Sequence, residues 1–367
     1  MNRPGTTARE HAFPDLGHLV YLDTATKGVL PAEAASALRD MTAQWAGGTA
    51  DHGAWEAAAE EARGLVAGMV GMTAQDVALL PSHVAAATTV AQGWSDARVV
   101  VPEAEFRANL LPWIADRDRD AVRLVPSPAT TEALCVAVDE GADLVAVSSI
   151  QSADGLRVDL PALVDHAHRR GTAVYVDASQ SLGVDATLAR SGADFIAAVA
   201  YKWLLGARGT AFLAVRREHQ RRFTPVLTGP ESCADGAMYG AEYRLCDDAR
   251  RFDQPQGWQA WVATAASLRH LFSYDQAALE RHATGLAGLF VDAVHALGFA
   301  TASADVPSPI VAVSHPDPQA AVGRLRDAGV CAAARTNSVR FAFHLYNIDH
   351  DVDRAIAAIA ASTGSTT

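Results

Sequence analysis

Cysteine, basic charge and long apolar runs are all scarce in this sequence, and each shortage excludes a class of protein. The four cysteines, Cys135, Cys233, Cys246 and Cys331, stand far apart and form no Cys-x-x-Cys pair. That spacing predicts neither a zinc site nor a disulfide framework, so no metal is expected and all four thiols are expected to be reduced. The 30 Lys and Arg residues are outnumbered by 42 Asp and Glu, for a formal net charge of -12. A nucleic-acid or anionic-membrane partner needs a basic face to replace counterions, so neither is expected. No uncharged apolar run reaches the roughly 18 residues of a membrane-spanning helix. The opening MNRPGTTAREHAFPDLGHLV has neither the apolar stretch nor the cleavage site of a secretory signal. The expectation is a cytoplasmic protein that handles a small molecule.

Half of the 367 residues are apolar and 20% are charged, enough for a large core in two lobes. Apolar β-rich runs alternate with Ala-rich helical stretches, which predicts a mostly parallel sheet covered by helices. The strands are expected at Val99 to Pro102, Val122 to Val125, Leu144 to Ser148, Ala173 to Asp177, Phe195 to Val199 and Thr210 to Val215. Helices are expected at Ala85 to Trp94, Leu110 to Asp116, Thr131 to Glu140, Leu160 to Arg170 and Thr187 to Ser191. Beyond Val215, Thr224 to Gly257 reads as irregular, and Trp258 to Leu297 as one long linking helix. The strands Ile310 to Ser314 and Val339 to His344, with helices near Pro318 to Ala328 and Asp349 to Ala361, read as a small α+β unit. No internal repeat or low-complexity linker interrupts this order.

In an open parallel sheet, ligands gather at the carboxyl ends of the strands. Asp177 closes the run AVYV in GTAVYVDASQSLG, and Lys202 follows the next strand in DFIAAVAYKWLLGARG. Taken singly, Asp177 also reads as a helix N-cap and Lys202 as a surface lysine. A carboxylate ending a buried strand is costly unless a cation pairs with it. A protonated pyridine nitrogen is such a cation, and a lysine amine supplies the imine linkage that pyridoxal 5'-phosphate needs. The Asp, the Gln three residues on and the later Lys-Trp-Leu-Leu-Gly-x-x-Gly form one pattern.

That pattern resembles the class V aminotransferase group of fold-type I pyridoxal-phosphate enzymes, which includes cysteine desulfurases, kynureninase and isopenicillin N epimerase-like proteins. The resemblance runs from YLDTATKGVLP at Tyr21 to HLYNIDHDVDRAI, and is strongest from Asp177 to Gly209. It implies an α/β fold with an N-terminal arm at 1–20 and a large cofactor-binding domain at 21–257, whose mostly parallel sheet is of the seven-stranded type. A linking helix and a small C-terminal domain follow at 258–367. It also implies a homodimer with shared sites.

Carried over by position, Asp177 becomes the partner of the ring nitrogen and Gln180 the donor to the phenolic oxygen. Lys202 becomes the Schiff-base lysine and proton carrier. Tyr201 matches the phosphate-binding tyrosine of kynureninase-like members, where desulfurases usually have His. LLPSHVAAATTVAQGW matches the segment that opens a helix over the phosphate. Ser82, His83 and Val84 stand where Gly-Thr-Thr is common, so the Ser82 hydroxyl and backbone amides take that task. His83 reads equally as a satisfied loop histidine. In EFRANLLPW, Phe106 is the aromatic that stacks on the ring, or else an ordinary core Phe, and Asn109 lies at the ring edge. Gln151 and Ser152 in SIQSADGLRVDL fall near the phenolic oxygen or the substrate. Arg340 in SVRFAFHLYN matches the arginine that forks onto the substrate α-carboxylate, with a surface strand arginine as the alternative. The ARRFD segment matches too, but Gln254, Pro255 and Gln256 replace the usual Gly-Thr that reaches a neighbouring subunit.

The protein chooses which bond at the substrate Cα is broken. Desulfurases carry a long loop with a catalytic cysteine ahead of the carboxylate-binding arginine. Here only TNSV separates Arg335 from Arg340, and Cys331 precedes it. The favoured reading is a carbon-sulfur β-lyase acting on a cysteine S-conjugate, with Cα deprotonation by Lys202. A decarboxylating oxidative deaminase, an aminotransferase and an epimerase remain open, as does a non-catalytic sensor or structural protein of this fold. The region Phe223 to Trp261 is expected at the dimer interface, with Tyr239, Tyr243 and Arg244 in the pocket.

Overall fold

A computed structural model describes residues 4–115, 117–302 and 306–362. Seven strands form the central sheet: β1 (Val77–Leu80), β2 (Val99–Pro102), β3 (Val122–Val125), β4 (Leu144–Ser148), β5 (Ala173–Asp177), β6 (Phe195–Val199) and β7 (Ala211–Val215). Their order is β1-β7-β6-β5-β4-β2-β3, with β7 antiparallel to both neighbours and every other pairing parallel. Strands β4 to β7 are buried along their whole length, which explains their near-continuous apolar sequences. Successive side chains alternate faces. In β5, Val174 and Val176 join one core cluster, whereas Ala173 and Tyr175 join the cluster on the opposite face.

Register fixes where the chemistry opens. Ser148, Asp177 and Ala197 lie in one row across β4, β5 and β6, so the loops after these strands leave from the same edge. A helix at His83–Gly93 and another at Arg107–Ile114 bring two further segments to that edge. Asp116, the expected last residue of the second helix, lies outside the described residues.

The C-terminal part contains an antiparallel sheet of β8 (Ile310–Ser314), β9 (Ala333–Ala334) and β10 (Ser338–Ala342), in the order β9-β10-β8. Helices Gln276–Ala296, Pro318–Asp327 and Asp349–Ser362 pack around it. The start of the chain is tied to this part: Val20–Tyr21 pairs in parallel with Val330–Cys331. Arg9 in the first helix pairs with Asp351 at 2.6 Å.

Several expectations needed correction. β1 and the helices Ala32–Ala46 and His52–Met69 were not expected. The linking segment is two helices, Trp258–Phe272 and Gln276–Ala296, because Asp275 caps the second by accepting the Ala278 N–H at 2.7 Å. The first of them packs on Ala32–Ala46 and His52–Met69. Thr187 to Ser191 holds only a 3-10 turn, Leu188–Arg190. Among the described residues, no helix is long and apolar enough to cross a membrane.

Candidate active site

The loop after β6 is shaped before any side chain is considered. Gly206 N–H donates to Ala200 O at 2.8 Å, and Gly28 N–H to Tyr201 O at 2.8 Å. Gly28 approaches so closely that a Cβ there would stand 2.2 Å from the Lys202 carbonyl oxygen. Leu205 takes φ 55°, a left-handed conformation that costs a leucine of order 1–3 kcal/mol. Its carbonyl is held by the Ser267 hydroxyl at 2.8 Å. The strained turn therefore sits three residues beyond Lys202.

Lys202 is 6% exposed. Burial pushes its amine down to about 8, with help from Arg340 and Arg335 and against the pull of Asp177. Its Nζ stands 5.2 Å from the centroid of the Phe106 ring and 6.0 Å from that of Tyr201. Phe106 is half exposed at the N-terminus of helix Arg107–Ile114, so it is not an ordinary core phenylalanine.

Asp177 is buried at the end of β5. Its Oδ1 accepts the Ser179 N–H at 2.8 Å, and its Oδ2 lies 3.4 Å from His83 Nε2. His83, in the first turn of its helix, also has Nε2 3.4 Å from Asn109 Oδ1 and 3.5 Å from the Tyr175 hydroxyl. The loop-histidine reading is thereby replaced by a histidine built against Asp177. Ser82 accepts the Ala85 N–H at 3.1 Å as the N-cap of the helix, and Val84 is half exposed beside it.

Gln180 is locked by its neighbours. Its amide nitrogen donates to Ala25 O and Ser152 Oγ, both at 3.0 Å, and its oxygen accepts from Trp203 Nε1 at 2.8 Å. Ser152 links it to Arg340, whose Nη1 donates to Ser152 O at 2.6 Å and to Ser152 Oγ at 3.1 Å. Arg340 Nη2 donates to Thr26 Oγ1 at 2.7 Å and to Asp23 Oδ1 at 3.3 Å. This arginine is fully buried, and burial beside Arg335 lowers its pKa to about 10 despite Asp23. It is not a surface arginine.

Sequence reasoning missed Glu105, although it opens the EFRAN segment. It is 5% exposed and accepts four hydrogen bonds: from Ser148 Oγ at 2.5 Å, Ser148 N–H at 2.8 Å, Phe106 N–H at 2.9 Å and Gln151 Nε2 at 3.1 Å. Burial, then Asp177, raises its pKa against those bonds. An acid before an aromatic gives no signal of partners over 40 residues away. Asp23 and Thr26, within YLDTATKGVLP, were missed for the same reason. Tyr239 is 95% exposed, and Tyr243 and Arg244 lie on the same exposed stretch, so within one chain they form no part of this constellation.

Among the described residues, four buried atoms around the constellation have no protein partner: His83 Nδ1, Asn109 Nδ2, Gln151 Oε1 and Arg340 Nε. Buried polar groups are normally paired, and these four, with a buried carboxylate and a low-pKa amine, suit a polar heterocycle bearing an anion. The residues present fit pyridoxal phosphate.

Sheet order and site together define a fold-type I pyridoxal-phosphate enzyme. The model of the aminotransferase class-V family matches residues 20–355, and the chain belongs to that family. Its cofactor is pyridoxal 5'-phosphate and its substrates are amino acids. An uncharacterised aminotransferase, YcbU, of Bacillus subtilis is 29% identical over 84% of this chain and 86% of its own length. Kynureninase of Deinococcus radiodurans is 27% identical over 96% and 92%. Among solved structures, an apo cysteine desulfurase of Thermococcus onnurineus superposes with a TM-score of 0.87 at 20% identity, covering all of both chains. The cystine C-S lyase C-DES, in complex with cysteine persulfide, superposes at 0.83 with 17% identity over 95% of this chain and 99% of its own.

Proposed function

We propose that the chain is a carbon-sulfur β-lyase acting on a cysteine S-conjugate, with Lys202 moving the proton. The observation that carries this reading is the Lys202 amine, buried and lowered to about 8 beside the Phe106 ring. Near neutral pH part of it is uncharged and can accept a proton from the substrate Cα. When bound, pyridoxal phosphate supplies an electron sink for the negative charge left on that carbon.

Asp177 would hold the ring-nitrogen proton, steadied by Ser179 N–H on one oxygen and His83 on the other. Phe106 would cover the ring face. Backbone amides of the first turn at His83 and Val84, with Ser82 and Tyr201, would bind the phosphate. Gln180 would reach the phenolic oxygen by turning one amide hydrogen away from Ser152. Arg340 would bind the α-carboxylate, with Asn109 and Gln151 offering their unpartnered atoms to ring edge and substrate. In elimination the proton passes from Cα to Nζ of Lys202. The C–S bond breaks with its electrons on sulfur, and the Lys202 ammonium returns the proton to the departing thiolate.

A persulfide-forming desulfurase is disfavoured by the turn between β9 and β10. Arg335 N–H donates to Ser338 O at 2.8 Å, which leaves no loop to carry a cysteine. Cys331 is partly buried, and burial and Asp23 push its thiol up, away from the nucleophilic thiolate. Mixing the holoenzyme with a cysteine S-conjugate should release pyruvate, ammonia and thiol in equal amounts. Conversion to the pyridoxamine form, or carbon dioxide release without pyruvate, would replace this reading by transamination or decarboxylating deamination.

A further inference from the structure

The site holds more positive charge than one α-carboxylate needs. β9 and β10 pair with Ala333 opposite Arg340, so these two residues share a face of the hairpin. Arg335, two residues beyond Ala333 and closing the turn with Ser338, is on that same face. Arg335 therefore leaves the hairpin on the same side as Arg340, whose guanidinium lies against Ser152, Thr26 and Asp23.

The two arginines differ in what holds them. Arg340 is tied by Ser152, Thr26 and Asp23. Arg335 is half-buried, and among the described residues its side chain has one hydrogen bond, from Nη1 to the carbonyl of its neighbour Ala334 at 2.8 Å. Among the described residues it has no ion pair, since Asp23, the acid that acts on it, is already bonded to Arg340. The other acids of the site, Asp177 and Glu105, are committed to Ser179 and His83, and to Ser148, Phe106 and Gln151. Burial lowers the pKa of the Arg335 guanidinium, the mark of a cation partly stripped of water without a full partner. Such a group binds a planar anion through two parallel N–H donors.

We infer that the substrate carries a second anion on its side chain, a carboxylate or sulfinate, and that Arg335 binds it while Arg340 binds the α-carboxylate. This rests on the amino-acid lyase reading and narrows it to acidic conjugates. The probe pair is S-carboxymethyl-L-cysteine and S-carbamoylmethyl-L-cysteine, which match in shape and differ in one charge. Stopped-flow absorbance of the bound cofactor gives a dissociation constant for each before turnover. The wild-type holoenzyme should bind the acid at least about tenfold tighter than the amide, worth about 1.4 kcal/mol. In Arg335→Gln the ratio should fall to within about twofold of unity, and Arg335→Lys should restore part of it. The wild-type preference should also shrink with added salt, so the inference stays testable if Arg335→Gln does not fold. Equal affinities in the wild type, or a preference that Arg335→Gln leaves intact, would overturn it. A preference for the acid without pyruvate release supports this inference while sinking the lyase.

Discussion

The residues of the site are charges taken out of water. Asp177 and Lys202 were legible because a carboxylate and an amine at the ends of buried strands demand an explanation that a surface position does not. The chain has only two lysines, Lys27 and Lys202. An amine-selective reagent on cofactor-free protein should therefore modify Lys202 with a rate that rises through pH about 8, while an ordinary lysine, at 10.5, is still protonated. A half-point near 10.5 would contradict the burial argument. Glu105 was illegible because its partners come from β4 and from the loop beyond it. Replacing it by Ala strands four donors, at about 1–3 kcal/mol for each that stays buried and unpaired. Glu105→Ala should lower Tm by several degrees and weaken cofactor retention, and Glu105→Gln, which keeps an acceptor oxygen, should recover part of both. Equal behaviour of the two variants would argue against this role.

Elements set these residues in place, and here the sequence speaks more unevenly. The strands β2 to β7 were visible from apolar runs, interrupted only in β3 by Arg123, but β1, just as apolar at Val77 to Leu80, was passed over because a Pro-Ser pair follows it at once. The long linking helix misled because helical periodicity continues through Ser273, Tyr274 and Asp275, and only the cap at Asp275 shows that a second helix begins. Two element-scale outcomes follow. Gly28→Ala places a Cβ against the backbone of Lys202 and should lower cofactor affinity by more than about tenfold, as read from absorbance left after dialysis. At the opposite edge of the sheet, Asp194 gathers Val174 N–H at 2.7 Å and His168 and His219 at 2.9 Å each. Burial raises its pKa, but these bonds outweigh burial and hold it below 3.8. A depressed carboxylate stabilises the fold above its unfolded pKa and loses that contribution as pH falls through the folded value. Asp194→Asn should lower Tm at neutral pH, and the gap to wild type should narrow in acid; a constant gap would remove the carboxylate's charge from the account.

For the whole molecule, we propose the division into arm, large domain, and linking helix with small domain at 20/21 and 257/258, and a twofold dimer. Helix Trp258–Phe272 packs on Ala32–Ala46 and His52–Met69, and Gln276–Ala296 packs on β8 and Asp349–Ser362 while Leu279 reaches the core beneath the central sheet, so the two helices tie the parts together. Met238, Tyr239 and Tyr243 are 69%, 95% and 65% exposed, an apolar surface that a monomer rarely leaves open. Sedimentation should give a dimer, and Tyr239→Arg with Met238→Arg should shift it toward monomer; an unchanged dimer would place the interface elsewhere.

We propose Lys202 as the residue that carries the cofactor. Reducing the holoenzyme with borohydride and mapping its peptides by mass tests it most directly, because Lys27 is the only competing lysine. The cofactor's mass should appear on the peptide containing Lys202 and on no peptide of Lys202→Ala. Cofactor fixed to Lys27, or to neither lysine, would contradict it.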